Sequence, residues 1–155
     1  MLLEFSLRNF RSFRDEQTFS LIAGSGTEHQ DTHTIRIPGA DERRALRSAA
    51  VYGPNASGKT NLLLALRAME QVVVKSAAAS QRGDEIEPIH PFRLTKENRN
   101  APTAFEAAFI VEGVEYQYGF EATRDKVVEE WLYAYPRGQA RRWFTRSYST
   151  DHSEG

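Results

Sequence analysis

Leu3, Phe5 and Leu7 alternate with Glu4, Ser6 and Arg8, and that period of two predicts a half-buried strand near the start of the chain. Polar residues 9–14 interrupt it. Residues 18–23 read as a second strand, which Gly24-Ser25-Gly26 ends. Residues 27–47 are polar, with Pro38-Gly39 in the middle, and predict a long loop holding a short strand around Ile35 and Ile37. Ala49, Ala50, Val51 and Tyr52 form a short apolar run, read as a buried strand. Leu62, Leu63, Leu66, Met69 and Val73 then recur at helical spacing and predict a helix from Lys59 into 72–74. Val72, Val73 and Val74 are poor helix formers and blur its end.

The second half returns to period two. Phe105, Ala107, Phe109 and Val111 alternate with their neighbours, as do Val114, Tyr116, Tyr118 and Phe120. Glu112-Gly113 between the two runs has the length and composition of a tight hairpin turn. Residues 127–135 alternate again, with Val127, Trp131, Tyr133 and Tyr135 on one side. Pro136-Arg137-Gly138 then turns the chain into a last strand around 142–146. An α/β part over 1–75 is thus followed by an antiparallel β part over 101–150, in one domain spanning 1–155.

One segment carries recognisable chemistry. Gly53-Pro54-Asn55-Ala56-Ser57-Gly58-Lys59-Thr60 fits the pattern G-x-x-x-x-G-K-[ST] at every fixed position. Gly53 and Gly58 let the backbone turn so that successive N–H groups face phosphate oxygens. The following helix adds the positive end of its dipole. Lys59 reaches β- and γ-phosphates, and the Thr60 hydroxyl is the Mg²⁺ ligand. The apolar run before the loop and the helix after it are the context this chemistry needs. A nucleoside triphosphate, ATP with Mg²⁺, is the expected ligand. The plain alternative is a glycine turn that starts a helix and binds nothing.

Composition excludes more than it proposes. Twenty basic and 21 acidic residues give a net charge of −1, so no overall field argues for nucleic acid or membrane. With no cysteine, thiolate metal sites, cysteine nucleophiles and disulfides are excluded. Glu4 and Arg8 break any apolar leader, and no run approaches a membrane span. A cytoplasmic protein without membrane contact is expected.

Asn9-Phe10-Arg11-Ser12-Phe13 after the first strand, with the phosphate loop some way behind it, resembles the ABC-type ATPase heads of the RecF, SMC and OLD branch. Within that branch the chain looks most like bacterial AAA-type ATP-binding proteins. The words Tyr52 to Leu62, Val114-Glu115-Tyr116-Gln117-Tyr118-Gly119-Phe120 and Glu129-Glu130-Trp131-Leu132-Tyr133 carry the likeness further. The resemblance implies a P-loop NTPase fold of ABC-ATPase-like type. It also implies that Arg11 and Ser12 touch the base or phosphates while Phe10 and Phe13 pack, and that Asn61 is a nucleotide-binding residue with the loop. Against this stands the plainer reading that Arg11 is a solvated turn residue and Asn9 only shapes the turn.

Other parts of such heads are not found in the sequence: no Leu-Ser-Gly-Gly-like signature and no apolar strand ending in an Asp-Glu pair. Phe109-Ile110-Val111-Glu112 is the nearest candidate, but it runs into Gly113 and reads as a hairpin strand, so the catalytic residues stay unknown. The chain is therefore expected to be an N-terminal lobe whose C-terminal half, or a second head, is a partner, with an apolar edge exposed where that partner packs. Hydrolysis by the chain alone is expected to be weak. The relatives set a prior for DNA repair or anti-phage defence, with DNA as a partner. Two alternatives are a non-catalytic module that nucleotide stabilises, and a small P-loop kinase. The kinase fits less well, because some fifty residues precede the loop.

Two further groups of residues carry candidate chemistry. His29 and His33 are four apart in a polar stretch without a third ligand, a poor metal site. Arg137, Arg141, Arg142 and Arg146, interleaved with Trp143, Phe144 and Tyr148, suit nucleic acid. The duller expectation is that these aromatics pack inward while the arginines are solvated or pair with Glu129 and Glu130.

Overall fold

The computed structural model describes residues 1–26, 28–39, 42–77 and 86–148. The alternation at the start of the chain becomes strand β1 (Leu2–Arg8), in which Leu3, Phe5 and Leu7 are buried. β2 (Gln17–Ser20) pairs antiparallel with its outer edge. A one-turn helix α1 (Gln30–His33) leads into the small hairpin β3 (Thr34–Arg36) and β4 (Arg44–Leu46). The long helix α2 (Lys59–Ala77) follows, then the short α3 (Lys96–Asn100). Four strands complete the order: β5 (Thr103–Val111), β6 (Val114–Ala122), β7 (Val127–Tyr135) and β8 (Arg141–Ser147). Pro136–Gly138 forms a 3-10 turn before the last of them.

The main sheet has six strands in the order β2-β1-β5-β6-β7-β8, and all its described pairings are antiparallel. The front and back parts of the chain therefore share one sheet: β1 pairs directly with β5, with Phe5 opposite Ala107. The hairpin expected at Glu112-Gly113 forms, and both residues take positive φ, 50° and 80°. That pair of left-handed residues matches the twist of the two strands.

Helix α2 lies on one sheet face. Ala65, Ala68, Met69 and Val72, spaced i, i+3, i+4, i+7, bury against Phe5, Leu7, Phe105 and Phe120. Four phenylalanine rings meet there, with the Phe105 centroid 6.0 Å from Phe5, 5.2 Å from Phe10 and 5.7 Å from Phe120. A smaller cluster of Leu3, Ile37, Ala45 and Ile110 holds the β3–β4 hairpin to the sheet.

Three expectations need correction. Residues 49–52 do not form a buried strand. They pair with no strand among the described residues, and Val51 is 50% and Tyr52 92% exposed. An apolar run reports affinity for a core, and here no described strand lies beside it to make one. The helical seam is also rotated from the one read off the leucines. Leu63 is 67% exposed and Val73 lies outside the core, because the small Ala65 and Ala68 face the sheet and let the helix approach. Finally, a bulge between Glu121 and Ala122 shifts the register, so that Ala122 faces Val127 while Glu121 faces Glu129. Val127 joins the core, whereas Trp131 lies on the opposite face in a cross-strand row with Gly119 and Glu106.

Candidate functional site

The glycine loop is built on local geometry. The Ser57 N–H donates to the Pro54 carbonyl at 3.3 Å, and Ala56 and Gly58 take left-handed φ values of 62° and 94°. A left-handed alanine is uncommon and strained, which marks the loop as specified by more than local preference. The first intrahelical bond of α2 runs from the Leu62 N–H to the Gly58 carbonyl at 3.1 Å. The N–H groups of Lys59, Thr60 and Asn61 therefore have no intrahelical acceptor and point out of the helix end. The first turn of α2 carries no acidic residue, so nothing there opposes an anion.

Lys59 folds back across the loop. Its ammonium donates to the Gly53 carbonyl at 2.8 Å, the Pro54 carbonyl at 2.7 Å and the Ser57 hydroxyl at 3.4 Å. All three of its donors are thus met by neutral oxygens, and no carboxylate is paired with it among the described residues. The charge is held in place without being neutralised. Thr60 is exposed at the same helix end.

The turn after β1 closes against this loop. Phe10 and Phe13 exchange backbone hydrogen bonds of 2.8 Å each, which leaves Arg11 and Ser12 at the tip of a two-residue turn. Arg11 has a φ of 49°, as such a turn requires. Phe10 is buried and Phe13 packs against the core, as expected. The Ser12 hydroxyl accepts a 2.8 Å hydrogen bond from the Asn61 side chain. A side chain on Gly58 would meet Ser12 at 3.3 Å and the Phe13 ring at 3.5 Å, so the turn and the loop are in close contact.

Arg11 goes elsewhere. Its N–H donates to the His90 carbonyl at 2.8 Å and its guanidinium lies over the Phe10 ring, 5.6 Å from the centroid. It lines a cavity of about 310 Å³ along the flank of α2, with Leu64, Arg67, Gln71, Glu87 and His90. Burial lowers the His90 pKa below its ordinary 6.5, and Arg11, Arg124 and Arg93 lower it further. The structure brings Ser12 and Asn61 to the loop and leaves the Arg11 side chain in this neighbouring cavity.

Asn9 does far more than shape a turn. It is 2% exposed with a φ of 53°. Its amide donates to the carbonyls of Asn98 at 2.9 Å, Ala101 at 2.9 Å and Pro102 at 3.3 Å. Its side-chain oxygen accepts from the Phe92 N–H at 3.1 Å and the Asn98 amide at 3.2 Å, and its carbonyl accepts from the Thr103 hydroxyl at 2.7 Å. These bonds tie the end of β1 to the segment that leads into β5, and so fix the turn beside the loop. Asparagine in a left-handed position was the only trace of this in the sequence.

The remaining candidates are dispersed. Glu112 sits at the β5–β6 turn, and its neighbour Gly113 faces Pro38 rather than the loop. The His29 and His33 rings stand 5.1 Å apart, and no group of three His, Asp or Glu residues suited to a metal occurs among the described residues. On β8 the expected inward packing of aromatics is limited to Trp143, whose ring meets Tyr116 edge-on at 5.4 Å between centroids. Trp143 nevertheless stays 62% and Phe144 39% exposed on this outermost strand, which carries a bulge opposite Leu132 and Tyr133, and Tyr148 just beyond is exposed too. Arg146 pairs with Glu130, as anticipated. The Arg137 side chain lies outside the described residues.

No described helix is long and apolar enough to cross a membrane. Residues 48–154, more than half of the chain, match a protein-family model described as "AAA domain, putative AbiEii toxin, Type IV TA system". A search of curated proteins found no match.

Proposed function

The chain belongs to this AAA-domain family of ATPase-like proteins, and we propose on that premise that it binds Mg-ATP through residues 53–60. The observation that carries the reading is the posture of Lys59: an ammonium held by two loop carbonyls at the bare N-terminus of a long helix. On binding, Lys59 exchanges neutral acceptors for phosphate oxygens, a stronger charge-assisted pairing. The N–H groups of Lys59, Thr60 and Asn61 supply further donors, and Ser12 holds Asn61 in place. Mg²⁺ supplies neutralisation of phosphate charge, and the exposed Thr60 hydroxyl is the residue that would hold it. Arg11 acts on the nucleotide only after leaving the Phe10 ring.

Turnover by this chain alone is proposed to be weak. Glu112, the nearest sequence match to a water-polarising acid, stands at a hairpin tip beside Gly113, which faces Pro38. A non-catalytic, nucleotide-stabilised lobe is the second reading, and the same observation favours it. We also propose a partner, a second head or C-terminal half of the RecF/SMC/OLD kind, over the exposed Val51, Tyr52 and Leu63. A toxin or defence setting accords with the family description, and exposed Arg141, Arg142 and Trp143 on β8 suit DNA there. The test is ATP binding with Mg²⁺ by the intact chain and by Lys59→Ala. Loss of a hydrogen bond to a charged group costs about 1.5–3 kcal/mol, so affinity should fall roughly ten- to hundredfold.

A further inference from the structure

Arg36 and Arg44 stand directly opposite each other across the β3–β4 hairpin. Like charges in that position are unfavourable. Both line a cavity of about 530 Å³, together with Gly24, Ser25, Glu42 and Arg43. Three arginines against one carboxylate leave the lining positive.

Two carboxylates outside the lining reach two of these arginines. Arg43 pairs with Glu115 at 3.2 Å, outside the lining. Arg44 is mostly buried, and its guanidinium donates to the Thr34 hydroxyl and, at 3.0 Å, to the Gln30 carbonyl. Both acceptors are neutral. The nearest acid to Arg44 is the fully exposed Asp31, at 3.8 Å. Arg36 is exposed and has no ion pair among the described residues. Arg44 is therefore fixed in direction by neutral groups and met only at 3.8 Å by Asp31 from outside the lining, while Arg36 is left without an ionic partner among the described residues. A side chain at Gly24, which is exposed and also lines the cavity, would touch nothing within 4 Å, so the cavity is open on that side.

We propose that this cavity is a second anion site, separate from the glycine loop, and that it takes a phosphate-bearing ligand through Arg36, Arg43 and Arg44. Guanidinium groups pair with phosphate oxygens in bidentate fashion, and an anion between Arg36 and Arg44 answers the like-charge pair that the strand register creates. The volume is that of a small-molecule pocket rather than a single ion. A free phosphorylated molecule and a nucleic-acid strand offer the same phosphate chemistry.

The experiment uses the full chain carrying Lys59→Ala, so that the loop contributes little, and titrates inorganic pyrophosphate by calorimetry. Binding is expected, weakened at least tenfold by Arg36→Gln and strengthened severalfold by Glu42→Gln. Arg36→Gln also relieves the like-charge pair, so without ligand its melting temperature should hold or rise. That behaviour separates a site from a merely structural arginine. A single-stranded oligonucleotide that displaces pyrophosphate in an Arg36-dependent way identifies a phosphodiester strand as the source; pyrophosphate binding alone identifies a free phosphorylated molecule. No pyrophosphate binding by the folded Lys59→Ala chain, or binding indifferent to Arg36→Gln, overturns the proposal.

Discussion

The Asn61 side chain donates a 2.8 Å hydrogen bond to the Ser12 hydroxyl, joining the first turn of α2 to the turn after β1 across 49 residues of sequence. That bond couples the Asn-Phe-Arg-Ser-Phe element to the glycine loop. A double-mutant cycle with Ser12→Ala and Asn61→Ala should give a coupling energy of about 0.5–1.5 kcal/mol in urea unfolding. Additive single effects would mean that the bond contributes nothing.

Asn9→Ala should be among the most damaging polar substitutions in the chain. It leaves three carbonyls and the Phe92 N–H without their partner in a part-buried setting, at a cost of about 3 kcal/mol. Asn9→Asp should not rescue it, because the lost groups are donors facing carbonyls. Chemical denaturation of both variants decides this, and a stable Asn9→Asp protein would contradict the hydrogen-bond account.

Gly119 is required by a close approach. A Cβ there would lie 2.4 Å from the Trp131 ring and 2.9 Å from the Phe105 carbonyl. The indole is tethered by its N–H to Glu106 at 2.8 Å, so it has little room to retreat. Gly119→Ala should destabilise by about 1–3 kcal/mol, an overpacking cost, while Gly24→Ala should be close to neutral by comparison. Equal melting temperatures for the two variants would refute the packing argument.

Tyr118 links stability to alkaline pH. Burial first, then its 2.7 Å hydrogen bond to Glu130, raises its pKa above the ordinary 10.0. The unfolded chain therefore releases this proton before the folded one does. The contribution to stability is intact below pH 10 and declines as pH rises above it. Unfolding free energy measured across that range should fall less steeply in Tyr118→Phe than in the parent. Identical slopes would remove the residue from the account.

The sequence was most legible where a pattern repeats locally. The hairpin over Glu112-Gly113 was readable because two alternating runs flank a pair of residues that tolerate positive φ. The glycine loop was readable because its chemistry is contiguous. What escaped depends on partners far along the chain. The Asn9 bonds reach Phe92, Asn98 and Ala101, and no spacing rule connects them. The run at 49–52 showed its apolarity but could not show whether a strand lies beside it. Val127 and Trp131 share a parity that a single bulge undoes.

The most direct test is ATP binding to the purified chain with Mg²⁺, set beside Lys59→Ala, with phosphate release followed in the same samples. Binding that falls roughly ten- to hundredfold in the variant, with little turnover in either, is the predicted result. No binding by a well-folded parent chain, or equal binding by both, would contradict the central claim.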